Sequence, residues 1–187
     1  PGDHRIAVYV AEAGHVTNII PDRAVVEFEC RAFSLREYEA LLERVRRCFD
    51  GAALATGTTL PVESAEPLYE PLLQDDTLAA YWTEAMDEFG KDTSPSAGIS
   101  GGSTDMGNIS QVIPSLHPWL SIPGADVPIH SHAFAALADS PEAYGVMFEA
   151  ATALAWTVAA AASSPGERER FIKAAYRRRT FTQEGTL

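Results

Sequence analysis

Cysteine is scarce in this chain. Cys30 and Cys48 are the only two in 187 residues, which excludes a dense disulfide framework and a paired-cysteine metal motif. Both are expected to be reduced thiols in or near the core of a cytoplasmic protein, with a Cys30–Cys48 bridge as the alternative. Basic residues are also few: 14 Lys and Arg stand against 26 Asp and Glu, for a net charge of -12. That balance argues against a surface that attracts nucleic-acid phosphates or anionic lipid, so neither nucleic acid nor membrane is an expected partner. No long apolar run is uninterrupted. The longest, "GVMFEAATALAWTVAAAASS", is broken by Glu149 and dominated by alanine, which predicts a buried helix rather than a membrane span. The start, "PGDHRIAVYV", has neither an initiator methionine nor the charged and apolar regions of a signal peptide, so the chain is expected to be a piece of something longer. Internal repeats are absent, and order and spacing define no Ser-His-Asp or Cys-His set.

What is present reads as two units. In "HRIAVYVAEA", His4 to Ala13, Ile6, Val8 and Val10 alternate as in a strand with one covered face. A second alternation in "RAVVEFECRAF" sets Ala24, Val26, Phe28 and Cys30 on one side, opposite Arg23, Val25, Glu27, Glu29 and Arg31, a mostly solvated face. Ser34 with Glu37 three residues on has capping-box spacing, and Leu35, Tyr38, Leu41, Leu42, Val45 and Phe49 recur at helical intervals up to Gly51. "TTLPVESAEPLY" reads as a further strand. Strand, strand, helix, strand is an α+β subdomain lacking a strand and a helix at its front. After the break at "EPLYEPLLQDD" come a helix "DTLAAYWTEAMDEFG", a glycine-rich loop, a proline-bounded apolar segment, "DVPIHSHAFAALAD", a long helix from about Pro141 to Ala162, and a basic helix "GERERFIKAAYRRR".

Three stretches could carry chemistry. In "ISGGSTDMGNIS", Ile99 to Ser110, Gly101 and Gly102 allow backbone N–H groups to approach a ligand, while Ser103, Thr104 and Asn108 add donors suited to a carboxylate or amide oxygen. A turn held by local Asx and hydroxyl bonds explains the same residues, and the lysine and glycine spacing of a phosphate loop are absent. In "HSH", His130 and His132 would fall on opposite faces of an extended segment, so at most one could ligate a given metal; a hydrogen-bonded surface histidine is the simpler alternative. In "NIIPD", Pro21 fixes the backbone, and Asn18 either bonds across a turn or points its amide to a ligand. His117 and Trp119 read as packing and loop residues.

"GHVTNIIPDRAVVEFECRAF", "GGSTDMGNISQVIPSLHPWLSIPG" and "IHSHAFA", in this order and separation, resemble the later half of a two-zinc amidohydrolase and exopeptidase family. That family includes aminoacylases, carboxypeptidase G and aminobenzoyl-glutamate hydrolases. The resemblance covers most of the chain and implies an α/β catalytic segment of zinc-exopeptidase type, its C-terminal part, at 68–187. Residues 1–67 would be the back part of an inserted α+β lid, the dimerisation domain, which is only partial here. By the same resemblance His130 takes the position of the final zinc ligand. Asn18 takes that of the lid residue that reaches substrate, and Gly101, Gly102, Ser103 and Thr104 that of the loop receiving the substrate's carboxylate end, with Asp105 and Asn108 beside it. The histidine-any-aspartate motif, the bridging aspartate and the Glu-Glu pair with the general base are not in this chain.

The resemblance therefore implies a parent hydrolase that cleaves the amide bond of an N-acyl amino acid, a dipeptide or an aminobenzoyl-glutamate-like compound through a metal-activated water. Two divalent ions, zinc with manganese or cobalt as alternatives, and a homodimer are implied for the complete protein, and inactivity for this chain alone. The rival reading is a non-catalytic α+β binding or dimerisation module whose glycine loop holds a small anion.

Overall fold

Ile6, Val8 and Val10 face Cys30, Phe28 and Val26 across an antiparallel ladder, so the apolar alternations of the two strands coincide on one side of the sheet. These strands are β1, Arg5–Glu12, and β2, Val25–Arg31. The register shifts between Val10 and Glu12, ahead of a turn in which Gly14 takes a positive φ of 80°. A Cβ there would also come within 3.1 Å of Pro21. In this computed structural model, residues 4–93 and 102–184 are described, with side chains through Arg178.

Helix α1, Leu35–Thr56, follows from its cap. Ser34 Oγ accepts from Glu37 N at 3.3 Å and donates to the Glu37 carboxylate at 2.8 Å, a capping box closed side chain to side chain. Leu41 and Val45 are buried on its inner face, and Phe49 meets Phe28 of β2 with ring centroids 5.2 Å apart. The helix runs past the expected stop at Gly51. That glycine has open space around it and is tolerated mid-helix at a cost of about 1 kcal/mol. The true terminator is Gly57, at φ 69° in the left-handed cap, whose N–H bonds Ala53 O.

The expected third strand does not form. Residues 58–69 make no ladder, and Pro61 and Pro67 remove two of the donors that a ladder would need. The sheet described here has only β1 and β2, and β1 leaves Ile6, Val8 and Val10 at 50%, 59% and 54% exposure.

The chain divides into two compact units, Pro1–Pro71 and Leu72–Leu187. In the second are α2, Asp76–Asp87; α3, Met106–Val112; α4, His132–Ala138; α5, Pro141–Ser163; and α6, Pro165–Glu184. An α/β segment was expected here, but the described residues carry only one isolated parallel bridge, Gln74 to Ser115. The described residues are mixed α/β with little sheet.

The core of this unit is Trp82, Ala85 and Met86 of α2 against Ala153 of α5, with Leu116 and Leu120 packed on it. Alanine at positions 153 and 161 lets helices approach closely. α5 is long and apolar enough to cross a membrane by length and composition. The sequence predicted it buried, yet only one stripe is: Ala143, Ala153, Thr157 and Ala161. Phe148, Trp156 and Val158 are more than half exposed. The interrupting Glu149 forms an ion pair with Lys91 Nζ at 2.9 Å.

Candidate functional site

The glycine-rich stretch is not all loop. Gly102, Ser103 and Thr104 lead without regular structure into α3, so Asn108 and Ser110, read from sequence as loop residues, lie on a helix. The helical spacing of Met106, Ile109 and Ile113 was the signal for it. Gly102 and Ser103 are exposed and Thr104 is half-buried. Thr104 Oγ1 accepts from Met106 N at 3.3 Å, its carbonyl accepts from Gly107 N at 3.0 Å, and its hydroxyl lies 3.5 Å from the Asp105 carboxylate. The chain enters α3 through Thr104, since Asp105 makes no side-chain cap. Gly101 lies outside the described residues.

α3 is anchored at its other end. Ser110, fully buried, donates to Gly107 O at 2.6 Å and accepts from Leu73 N at 2.9 Å. Arg178 of α6 donates from Nη1 to Ser110 O at 2.6 Å and Ile113 O at 2.9 Å. The entry to α2 is tied to the same region: Asp75 N bonds Ser115 O, and Gln74 Oε1 accepts from His117 N at 2.9 Å.

Asp75 caps α2, accepting from Thr77 N and Leu78 N, and receives a bidentate fork from Arg170 Nη1 and Nη2 at 2.9 and 2.8 Å. Arg170 also donates from Nε to Glu167 at 2.7 Å. The Arg170 hydrogen bonds, opposed by burial and aided by the two backbone donors, hold the Asp75 carboxyl below the usual carboxylate range. Neither arginine is recoverable from local pattern, because each acts across 65 or more residues.

The "HSH" stretch is a turn into a helix, not an extended segment. His130 sits at φ 62° in the left-handed region, Ser131 caps α4 by accepting from Phe134 N at 3.1 Å, and His132 is the first residue of α4. The opposite-face argument therefore does not apply. Ser131 ahead of "HAFAALA" was the readable capping signal. Both histidines are exposed. Among the described residues, no three His, Cys, Asp or Glu side chains gather as a metal-holding group, so the residues present do not fit a complete metal site.

Asn18 lies exposed in the turn between β1 and β2, in the first unit; Gly102–Thr104 and His130 lie in the second, on separate elements. An open cleft of about 450 Å³ runs between α2, residues 116–122 and α5, lined by Trp82, Leu116, Leu120, Met147 and Leu154, with His117 on its wall. Met106, two residues after Thr104, also lines it. Cys30 is half-buried and Cys48 exposed, and both are free thiols. Burial, with the Glu29 charge, pushes the Cys30 thiol up.

No family model matches the chain. It is similar to curated proteins over most of its length. It is 35% identical over 156 residues to the Xaa-Arg dipeptidase of Mus musculus, covering 82% of this chain and 36% of that protein. Against the Homo sapiens Xaa-Arg dipeptidase the identity is 31% over the same shares. These similarities support an amidohydrolase family. An N-acetyldiaminopimelate deacetylase of Leuconostoc citreum is 28% identical over 126 residues, covering 67% of this chain and 32% of that protein. The chain thus spans about a third of the length of the curated relatives it matches.

Proposed function

We propose that this chain is the later portion of a metal-dependent amidohydrolase that cleaves the amide bond of a dipeptide, an N-acyl amino acid or an aminobenzoyl-glutamate-like compound. The observation that carries the proposal is the 35% identity over 156 residues with a protein named as a dipeptidase. The chemistry of the candidate residues supports it. The Gly102–Ser103 segment is exposed and carries no charge, with half-buried Thr104 beside it, and the adjacent cleft offers an apolar wall. Asn18 is assigned to the substrate and His130 to one of two divalent ions, whose other ligands lie outside this chain. Such ions, held by His130 together with ligands from the complete protein, would supply an activated water. The chain alone is inactive, and the complete protein is a homodimer through the edge of the lid, where Ile6, Val8 and Val10 of β1 are about half exposed.

The test uses the complete protein, dipeptides ending in arginine and N-acetyl amino acids, with release of free amino acid as the readout. Hydrolysis should vanish on chelation and return with zinc, manganese or cobalt. Turnover that persists without metal, or no turnover of any of these amides, would refute the proposal. His130→Ala should lose bound metal by elemental analysis while His132→Ala retains it; equal metal in both would sink the assignment of His130.

A further inference from the structure

We propose that Arg178 is a positioning residue. Reaching from α6 to the last carbonyls of α3, it holds in place the Gly102–Thr104 segment that enters that helix. The inference rests on the reading that this segment receives the substrate.

α3 is seven residues long, and a helix that short has no independent stability in water, so its placement must come from outside. At its entry Asp105 makes no side-chain cap bond; the Thr104 hydroxyl accepts from Met106 N at 3.3 Å and the Thr104 carbonyl from Gly107 N at 3.0 Å. Its last turn is held firmly. The Arg178 guanidinium donates to Ser110 O in the last turn at 2.6 Å, a carbonyl that lacks an intrahelical donor, and at 2.9 Å to O of the C-cap Ile113, which also accepts from Ser115 Oγ. Hydrogen bonds then run back along the helix without a gap. Ser110 Oγ reaches Gly107 O, and Gly107 N reaches Thr104 O. A displacement at Ser110 is therefore carried to Thr104, while the Leu73 N bond to Ser110 Oγ fixes the opposite side. Through these bonds Arg178 acts on the Gly102–Thr104 segment by way of α3.

The experiment uses the complete protein and two variants, Arg178→Met and Arg178→Lys, with two readouts. The first is amide hydrogen exchange resolved to residues 102–112, compared with α2 and α5 as internal references. The second is the KM and kcat for the dipeptide that the wild-type protein hydrolyses. Arg178→Met removes the donors, so exchange across 102–112 should rise about tenfold or more while α2 and α5 hold. KM should rise about tenfold with kcat within about twofold, the signature of weakened substrate positioning. A lysine ammonium can reach a carbonyl but lacks the planar fork, so Arg178→Lys should restore part of both effects. Exchange at 102–112 unchanged by Arg178→Met would overturn the proposal. So would a rise shared equally by α2 and α5, or a fall in kcat that lysine does not relieve. If the wild-type protein hydrolyses no amide, the functional reading fails, and the exchange data still decide whether Arg178 braces the segment.

Discussion

Arg170→Met tests the electrostatic tie between α6 and α2. The Asp75 side chain is only 5% exposed, and the substitution leaves it with two backbone donors at 3.1 and 3.2 Å in place of those two and a bidentate guanidinium. Breaking a fully buried pair costs about 3–5 kcal/mol, whereas an exposed pair is worth about 0–1 kcal/mol. Arg170 is 37% exposed, so solvent screens part of the interaction and about 2 kcal/mol is the expected loss. All three tryptophans, Trp82, Trp119 and Trp156, belong to Leu72–Leu187, so their fluorescence in urea reports this unit alone. The midpoint should fall by roughly 1–2 M.

The pH dependence follows from the same pair. The folded-state value of Asp75 is depressed, chiefly by Arg170. Its contribution is therefore complete above the unfolded carboxylate value of about 3.9 and is lost as pH drops through the lower folded value. The wild-type protein should lose stability through that window, and Arg170→Met should show a flatter acid limb. Equal acid limbs, or a midpoint shift within error of zero, would refute the account of Asp75 as a buried, paired carboxylate.

Two further changes probe the units separately. Met86→Ala empties a fully buried position against Ala153 and should cost about 2–5 kcal/mol by the same fluorescence assay; a cost under about 1 kcal/mol would mean the site collapses around the gap. Gly57→Ala should destabilise α1 by about 1 kcal/mol, through backbone strain alone because nothing lies within 4 Å of the added Cβ. Circular dichroism during urea unfolding of a Pro1–Pro71 fragment checks it, with no shift as the contrary result.

Local chemistry was legible, and distant chemistry was not. Ser34 and Glu37 announce α1 because a cap is written within four residues, and the Ile6/Val8/Val10 and Val26/Phe28/Cys30 alternations give both the strands and their shared face. Gly51 misled because a glycine's cost mid-helix is smaller than the gain from continuing to Gly57. "TTLPVESAEPLY" has strand-like composition but pairs with neither edge of the β1–β2 sheet, and a strand exists only as half of a ladder. The candidate loop was read from glycine and hydroxyl content, which concealed the helix starting at Met106. His130 was placed by resemblance, and its left-handed backbone was not readable from "HSH". Arg170 and Arg178 looked like ordinary members of a charged helix until the fold brought each to a partner far back in sequence.

That separation has a consequence for synthesis on the ribosome. The ladder between β1 and β2 and the residues that cap α1 are encoded by Gly57, so these contacts are available while the rest is still being translated. The second unit cannot finish early. Asp75 awaits Arg170, 95 residues later, and Ser110 awaits Arg178, 68 residues later. Until α6 emerges, the Asp75 carboxylate lacks its guanidinium and α3 lacks the Arg178 bonds at its C-terminal end. Ribosome stalling between α5 and α6 would prolong that state and lengthen its exposure to chaperones and proteases.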